Sequence, residues 1–129
     1  MRLNQITLPA TNIAISLQWY LDMDFELIVD SPDYKRLLAP DGYNTLSLSE
    51  VAKLGVGPAP RIYFEFESAA TLDEHVRCLQ SKGFLFAGAP QDQSFGWREA
   101  WISDPSGNQI CLYHAGEMRL NPPWRVGYS

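Results

Sequence analysis

The sequence has few of the residues that several common classes of protein depend on. It contains only two histidines and two cysteines, and Cys78 and Cys111 form no CxxC motif. We therefore expect reduced thiols rather than a disulfide. It also has no run of 18 apolar residues, which predicts no membrane span. The first residues lack the apolar core of a secretory signal, so we expect a cytoplasmic protein.

Basic residues are also scarce. Ten Lys and Arg stand against fifteen Asp and Glu, a net charge of −5. Because nucleic-acid affinity depends on clustered Lys and Arg, we expect no nucleic-acid partner. The 46% of hydrophobic and 12% of aromatic residues are typical of a globular chain. A length of 129 residues suits one domain with a substantial core.

The most informative segment is Trp97 to His114, which predicts a strand, a tight turn and a second strand. The turn, Asp104 to Asn108, has the sequence DPSGN, in which proline fixes φ, glycine supplies positive φ, and Asp and Asn bond nearby backbone. On both sides of it, polar or aromatic residues alternate with aliphatic ones. One face of this hairpin therefore meets a core, and the other meets water, a partner or a ligand.

Two halves with the same element order flank a Gly/Pro-rich joint, GVGPAP, at residues 55–60. For the first half, residues 1–54, we predict a helix at 13–21 capped by Asn12 and strands at 2–9, 25–29, 34–39 and 44–49.

For the second half, residues 61–114, we predict a strand at 61–67 and then a helix. A T-x-x-E capping box at Thr71 and Glu74 starts that helix, and Gly83 ends it. A short strand at 84–87 and the hairpin follow. Each half is thus a βαβββ module. We predict a single α+β domain of two such modules, with a C-terminal tail at 115–129.

This order resembles the vicinal oxygen chelate superfamily, together with LNQITLPATNIAISLQWYL near the start and DPSGNQICLYH near the end. Glyoxalase I, extradiol dioxygenases, and the fosfomycin- and bleomycin-resistance proteins belong to it. The resemblance covers nearly the whole chain, and the DP-x-GN turn is its most specific part. It implies a curved mixed sheet of eight strands around a cavity, usually in a homodimer. We accordingly expect a homodimer that binds a small molecule, and the fold alone does not imply a particular chemistry.

The resemblance also implies where a divalent metal would bind. Metal-using members hold the ion with His or Gln, His, and Glu, from the first strand of each module and the last strand of the second. Here those positions hold Gln5, Arg61 and Cys111. A guanidinium offers no lone pair and repels a dication by several kcal/mol at about 4 Å, so we expect no metal cofactor. A divalent metal held by non-standard ligands stays open, with Gln5, Glu50, Glu65, Glu99, Cys111 and His114 as the candidates.

Strand alternation assigns the residues that line the concave side of the implied sheet: Gln5, Thr7, Thr45, Ser47, Ser49, Arg61, Tyr63, Glu65, Glu99, Trp101, Cys111 and Tyr113. Such a mixed lining is typical of a small-molecule pocket rather than of a packed core. We predict that seven of these residues bind the ligand: Gln5, Ser47, Arg61, Tyr63, Trp101, Cys111 and Tyr113.

The charged residues of this lining allow two interpretations each. Arg61 either pairs with Glu65 or receives a carboxylate, phosphate or enolate oxygen through its planar donors. Glu65 and Glu99 are candidate catalytic residues, as paired carboxylates of which one serves as general base. The alternative register turns Glu99 outward. Cys111 is more often a small apolar residue than a nucleophile.

The tail contains Pro122-Pro123, which favours an extended chain, and Trp124, a large anchor. We expect it to pack, either on its own domain or, with Arg119 or Arg125 reaching inward, across the partner subunit or over the cavity mouth. For the whole protein, we predict metal-independent binding of a small organic molecule. The alternatives are a metal-dependent lyase, isomerase or dioxygenase of glyoxalase type, and an interaction module with a vestigial cavity.

Overall fold

The fold is that of a computed structural model, which describes residues 1–127. The elements of the first module are β1 (Gln5–Ala10), α1 (Ile13–Leu21), β2 (Glu26–Ser31), β3 (Tyr34–Leu38) and β4 (Thr45–Glu50). Those of the second are β5 (Arg61–Glu65), α2 (Ala69–Ser81), β6 (Gln91–Asp92), β7 (Arg98–Ser103) and β8 (Gln109–His114), with α3 (Glu117–Leu120) after them. The predicted α+β class with two βαβββ modules is confirmed.

Each module forms a four-stranded mixed sheet, and the two sheets have the same strand order. The first sheet runs β1-β4-β3-β2 and the second β5-β8-β7-β6. In each, the first strand of the module lies parallel to its last strand, whereas β4 and β3, like β7 and β6, are antiparallel. The internal repeat predicted from element order is thus a repeat of topology.

The chain divides into two compact units. The first comprises Met1–Pro60 together with Ser103–Asn108, and the second comprises Arg61–Ile102 together with the chain from Gln109 onward. The turn of the last hairpin, predicted within the second module, therefore belongs by its contacts to the first unit. No helix within residues 1–127 is long and apolar enough to cross a bilayer.

Each unit has its own aliphatic core under the sheet. In the first unit the fully buried side chains include Leu8, Leu37 and Leu48, and Tyr20 of α1. In the second unit, α2 packs on β8 through a stripe of buried aliphatic residues, Leu72, Val76 and Leu79. The opposite face of each sheet carries the polar and aromatic side chains of the candidate sites.

The start of α2 differs from the prediction. Its N-cap is Ser68, whose Oγ accepts from the Thr71 backbone N–H at 3.0 Å, while Thr71 Oγ1 accepts from the Ser68 N–H at 3.1 Å. The predicted box at Thr71 and Glu74 is wrong because the serine three residues earlier completes the same reciprocal pair with Thr71. Gly83, with φ of 98°, follows the helix as predicted, and Asn12 caps α1 through a bond from Ile15 N–H at 3.3 Å.

The predicted strand at 84–87 is also wrong. This segment is a loop, and the short strand β6 lies further on, at Gln91–Asp92. Phe84 is buried and bonds the carbonyl of Leu79, at the end of α2. A short apolar run does not distinguish a strand from a buried loop. The other strands differ from the predictions only at their ends.

Candidate functional site

The DPSGN turn is a structural element of the first unit. The Asp104 carboxylate accepts the backbone N–H of Ser106 and of Asn108, each at 2.9 Å, the Asn108 side-chain amide at 2.8 Å, and the Tyr20 hydroxyl at 2.7 Å. The Asn108 amide also donates to the carbonyl of Pro9 at 3.1 Å. Burial raises the pKa of the Tyr20 hydroxyl, so it stays a donor. The motif that is most specific in sequence therefore fixes β1, α1 and the hairpin turn to one another.

The second unit gathers aromatic rings on one face of its sheet. In the parallel β5–β8 pair, Tyr63 lies beside Cys111 and Glu65 beside Tyr113, so these four side chains share a face. The Tyr63 ring meets Trp97 at 5.9 Å, Trp101 at 5.5 Å and Tyr113 at 5.6 Å, edge to face in each case. Trp97 and Tyr113 stack at 4.7 Å. We call Tyr63, Trp97, Trp101 and Tyr113 the aromatic face.

Part of this face is open to water. Tyr63 is 40% exposed, and Phe95, whose ring lies 5.8 Å from that of Trp97, is 42% exposed. Trp97 and Trp101 are half-buried, packed on the buried side chains of Cys111 and Tyr113. Exposed rings held against a rigid sheet form a surface to which an apolar ligand can bind.

The two predicted catalytic carboxylates have different surroundings. Glu99 is 7% exposed and accepts the Trp101 indole N–H at 3.2 Å, so it lies on the aromatic face rather than outward. Glu65 lies 3.5 Å from Nε of Arg119. The predicted alternative that Glu65 pairs with Arg61 is therefore wrong. The catalytic pairing of Glu65 and Glu99 stays a prediction. The Arg119 guanidinium beside Glu65 counts against it, because a general base needs a free carboxylate.

Arg61 begins β5, on the same face as Tyr63. It is exposed, lies beside Gln109 in the register, and forms no ion pair with any residue between 1 and 127. Its planar donors are therefore available to an acidic group.

Cys111 lies beneath the rings with no exposed surface. Burial, and then the charge of Glu99, raise the pKa of its thiol to about 12. The group is therefore a protonated thiol at neutral pH, which makes it a poor nucleophile. Burial likewise raises the pKa of the Tyr63 and Tyr113 hydroxyls.

The first unit carries a different surface on the corresponding face, made of hydroxyl and amide groups that bond one another. The Gln5 amide donates to Ser47 Oγ at 2.9 Å and to Thr7 Oγ1 at 3.1 Å, and its oxygen accepts from Thr45. Ser47 is fully buried. We call Gln5, Thr7, Tyr34, Arg36 and Ser47 the polar face. The predicted ligand contacts of Gln5 and Ser47 stay predictions.

Two members of the polar face were not predicted from the sequence. The Tyr34 hydroxyl lies 2.7 Å from Ser47 Oγ, and Arg36 Nε donates to the Tyr34 hydroxyl at 3.1 Å. The bond with Ser47 lowers the pKa of the Tyr34 hydroxyl. Both residues lie on β3, where Tyr34 pairs with Ser49 and Arg36 with Ser47. Alternation along β3, combined with antiparallel pairing to β4, is the signal that would have identified them.

The donor atoms present do not fit a divalent metal. Arg61 has no lone pair to give, Cys111 is fully buried beneath the rings, and the Gln5 amide is bonded within the polar face. Of the other candidates, Glu50 is exposed at the end of β4, and His114 Nδ1 lies 2.9 Å from the Phe66 carbonyl. Within residues 1–127, no three His, Cys, Asp or Glu side chains are grouped as ligands.

The tail packs through α3 rather than through its tryptophan. Met118 lies against Gly96, and Arg119 reaches Glu65. Trp124, expected to be an anchor, is 60% exposed, and Arg125 bonds Asn121 within the tail. Tyr128 and Ser129, the last residues of the predicted tail, lie outside the described residues.

Comparison with known proteins identifies the family. Residues 2–112 match the model of the Glyoxalase/Bleomycin resistance protein/Dioxygenase superfamily, and the chain belongs to this superfamily. The predicted resemblance is thereby confirmed. No curated protein matches the chain.

Solved structures share the fold at low sequence identity. A glyoxalase/bleomycin resistance protein/dioxygenase from Nocardioides is 18% identical, with a TM-score of 0.80 over 98% of this chain and 90% of that one. A lactoylglutathione lyase from Agrobacterium tumefaciens is 15% identical, with a TM-score of 0.74 over 88% and 92%. A bleomycin-binding protein complexed with bleomycin is 18% identical, with a TM-score of 0.71 over 88% and 98%.

Proposed function

We propose that this protein binds a small organic molecule with a flat apolar portion, without a metal ion, on the aromatic face of its second unit. The observation that carries the proposal is the Tyr63 ring, which touches three other rings and is still 40% exposed. Covering about 100 Å² of such a surface contributes roughly 2.5 kcal/mol before the cost of association.

The aromatic face is organised before any ligand arrives. Trp97 stacks on the buried Tyr113, and the bond to Glu99 holds the Trp101 indole. A ligand therefore loses little free energy to the ordering of these side chains, which favours binding.

Arg61 supplies a polar contact at one end of the face. Its side chain is exposed and unpaired among the described residues, and Tyr63 follows it on the same side of β5. An acidic oxygen of the ligand would accept from the guanidinium while the flat portion stacks on the rings.

The relatives include both a lactoylglutathione lyase and a bleomycin-binding protein, so the residues of this chain support this proposal over a metal-dependent reaction. One structure of the same fold is a bleomycin-binding protein complexed with bleomycin, an organic molecule. The alternative, a metal-dependent lyase, isomerase or dioxygenase, needs ligands at positions where this chain has Arg61 and the buried Cys111. We propose no metal cofactor, and we keep the homodimer as a prediction.

The test is a titration of tryptophan fluorescence with a panel of aromatic compounds, run with chelator and again with added zinc, nickel or manganese. We expect binding that the chelator does not change and that Tyr63→Ala weakens about tenfold. Leu85→Ala is the matched control, since Leu85 is an 87% exposed apolar residue of the same unit, and it should bind normally. Binding that requires added metal, or equal losses in the two variants, would contradict the proposal.

A further inference from the structure

We propose that Arg119, on the short helix after the last strand, is a second ligand-binding residue of the aromatic face. Its guanidinium binds the acidic group of an aromatic acid. In the free protein Glu65 forms an ion pair with this guanidinium, and the acidic group of the ligand displaces Glu65. This inference rests on the proposed function, and it adds the class of ligand and a competing group within the protein itself.

Arg119 lies at the edge of the aromatic face. Its Nε is 3.5 Å from Glu65 Oε2, and Glu65 is the register partner of Tyr113, a member of that face. Both charges act on the Tyr113 hydroxyl, whose pKa is raised first by burial and then by Glu65, and lowered by Arg119. A ligand stacked on the rings near Tyr113 would therefore have the guanidinium beside it.

The Arg119 guanidinium is only partly used. Its contact with Glu65 is longer than an ordinary hydrogen bond, and its two terminal nitrogens bond no residue between 1 and 127. Arg98 of the same unit shows the contrast, since all three of its nitrogens bond Asp73 and Asp92, at 2.9 to 3.1 Å. Arg119 is 43% exposed at the side chain against 23% for Arg98. Arg119 thus has more donors to offer than Arg98.

The helix that carries Arg119 is held in place. The Met118 side chain lies so close to Gly96 that a Cβ there would come within 2.6 Å of its terminal methyl. Gly96 also has a φ of 91°, which favours glycine. Backbone bonds from Met118 to Ala115, at 3.1 Å, and from Asn121 to Glu117, at 2.8 Å, close the turn. The guanidinium is therefore positioned by packing rather than carried on a loose tail.

The accessible charges of the face favour an anion, although the chain as a whole has a net charge of −5. Arg61 and Arg119 are exposed, whereas of the two carboxylates Glu65 is already paired and Glu99 is buried against Trp101. Arg61 and Glu65 are separated by roughly 13 Å along β5, so a single acidic group contacts one end or the other. We infer that a flat aromatic acid is preferred over its neutral counterpart.

Two probes of the same shape test this inference, 2-naphthoate and the neutral 2-naphthamide, titrated against tryptophan fluorescence. Arg119→Gln should weaken naphthoate binding about fivefold and leave the amide unchanged. Glu65→Gln removes the competing carboxylate and should strengthen naphthoate binding by about the same factor. Arg125→Gln makes the same change of charge in the same tail, away from Glu65, and should leave both probes unaffected.

Naphthoate binding is expected to weaken in Arg119→Gln and to strengthen in Glu65→Gln, so the two variants test the inference in opposite directions. Weaker naphthoate binding in Glu65→Gln, equal losses in Arg119→Gln and Arg125→Gln, or a loss confined to Arg61→Gln would overturn the role of Arg119. Equal affinity of the wild-type protein for acid and amide would overturn this inference and leave the proposed function standing. Failure of both probes, and of the wider aromatic panel, would contradict the proposed function and this inference together.

Discussion

The polar face of the first unit and the aromatic face of the second are built on sheets of the same strand order. They differ in the groups that they leave exposed to water. On the polar face, Gln5, Ser47 and Tyr34 bond one another, so their hydrogen-bonding capacity is largely used within the face. On the aromatic face, ring surface stays exposed. Arg61 and Arg119 have guanidinium donors that no residue between 1 and 127 accepts, and so does Arg36 on the polar face, so the exposed rings are what distinguish the two faces. The repeated topology fixes where side chains stand, and their chemistry decides which face has binding capacity left.

The largest expected effect is a loss of stability on substitution of Asp104, which links the hairpin turn to α1 in the first unit. Asp104→Ala removes the acceptor of four hydrogen bonds and leaves the buried Tyr20 hydroxyl unpaired. We expect a loss of roughly 3 kcal/mol in the free energy of unfolding, measured by urea denaturation.

The double variant Asp104→Ala with Tyr20→Phe separates the Tyr20 bond from the turn. It should be less destabilised than the sum of the two single variants, because no unpaired hydroxyl is left. Additive losses would show that the Tyr20–Asp104 bond contributes nothing.

A smaller effect is expected at the aromatic face. Trp101→Phe keeps a ring and removes the indole N–H that bonds the buried Glu99. We expect a destabilisation of about 2 kcal/mol because a buried carboxylate loses its donor. Adding Glu99→Gln should recover part of it. A Trp101→Phe protein as stable as the wild type would mean that water replaces the indole.

A still smaller effect is expected on the polar face. Ser47→Ala removes the hydroxyl that bonds Gln5 and Tyr34 and should destabilise the protein by about 1 kcal/mol. It should not change the binding of naphthoate, whereas Tyr63→Ala should weaken that binding. Loss of binding in Ser47→Ala would show that the polar face takes part in recognition, as first predicted for Gln5 and Ser47.

The last prediction is an absence of reaction. Cys78 is exposed and Cys111 is buried, and the pKa of Cys111 is raised to about 12 by burial and then by Glu99. In native protein at pH 8, iodoacetamide should label Cys78 alone, and Cys111 should react only after unfolding, as followed by mass spectrometry. Rapid labelling of Cys111 in the native state would mean that the aromatic rings do not shield its thiol from reagents in solution.

The same raised pKa gives a pH dependence with a definite sign. The folded state holds the Cys111 proton more tightly than the unfolded state does, so this contribution to stability is full below about pH 8.5. It is lost as the pH rises from there toward about 12. Cys111→Ala should flatten the decline of stability across that range. A decline of the same slope in the variant would assign it to other groups.

Local sequence signals were sufficient wherever neighbours along the chain make the structure. The Asn12 cap, the helix at Ile13–Leu21 and the DPSGN turn follow from contacts within a few residues. The errors at Ser68 and at 84–87 arose where two local signals competed or where an apolar run was too short to be assigned.

The sequence by itself determined which side chains share a face, because strand side chains alternate with a period of two whatever the partner strand. Tyr63, Cys111 and Tyr113 were assigned together on that basis, and the register agrees. Only the tertiary structure decided which groups are paired and which stay free. Glu65 forms an ion pair with Arg119 of the tail rather than with Arg61, Tyr34 bonds Ser47, and Arg36 donates to Tyr34. The physical reason is that ion pairs and hydrogen bonds act over a few ångströms, and strand register and tail packing set those distances between residues far apart in sequence.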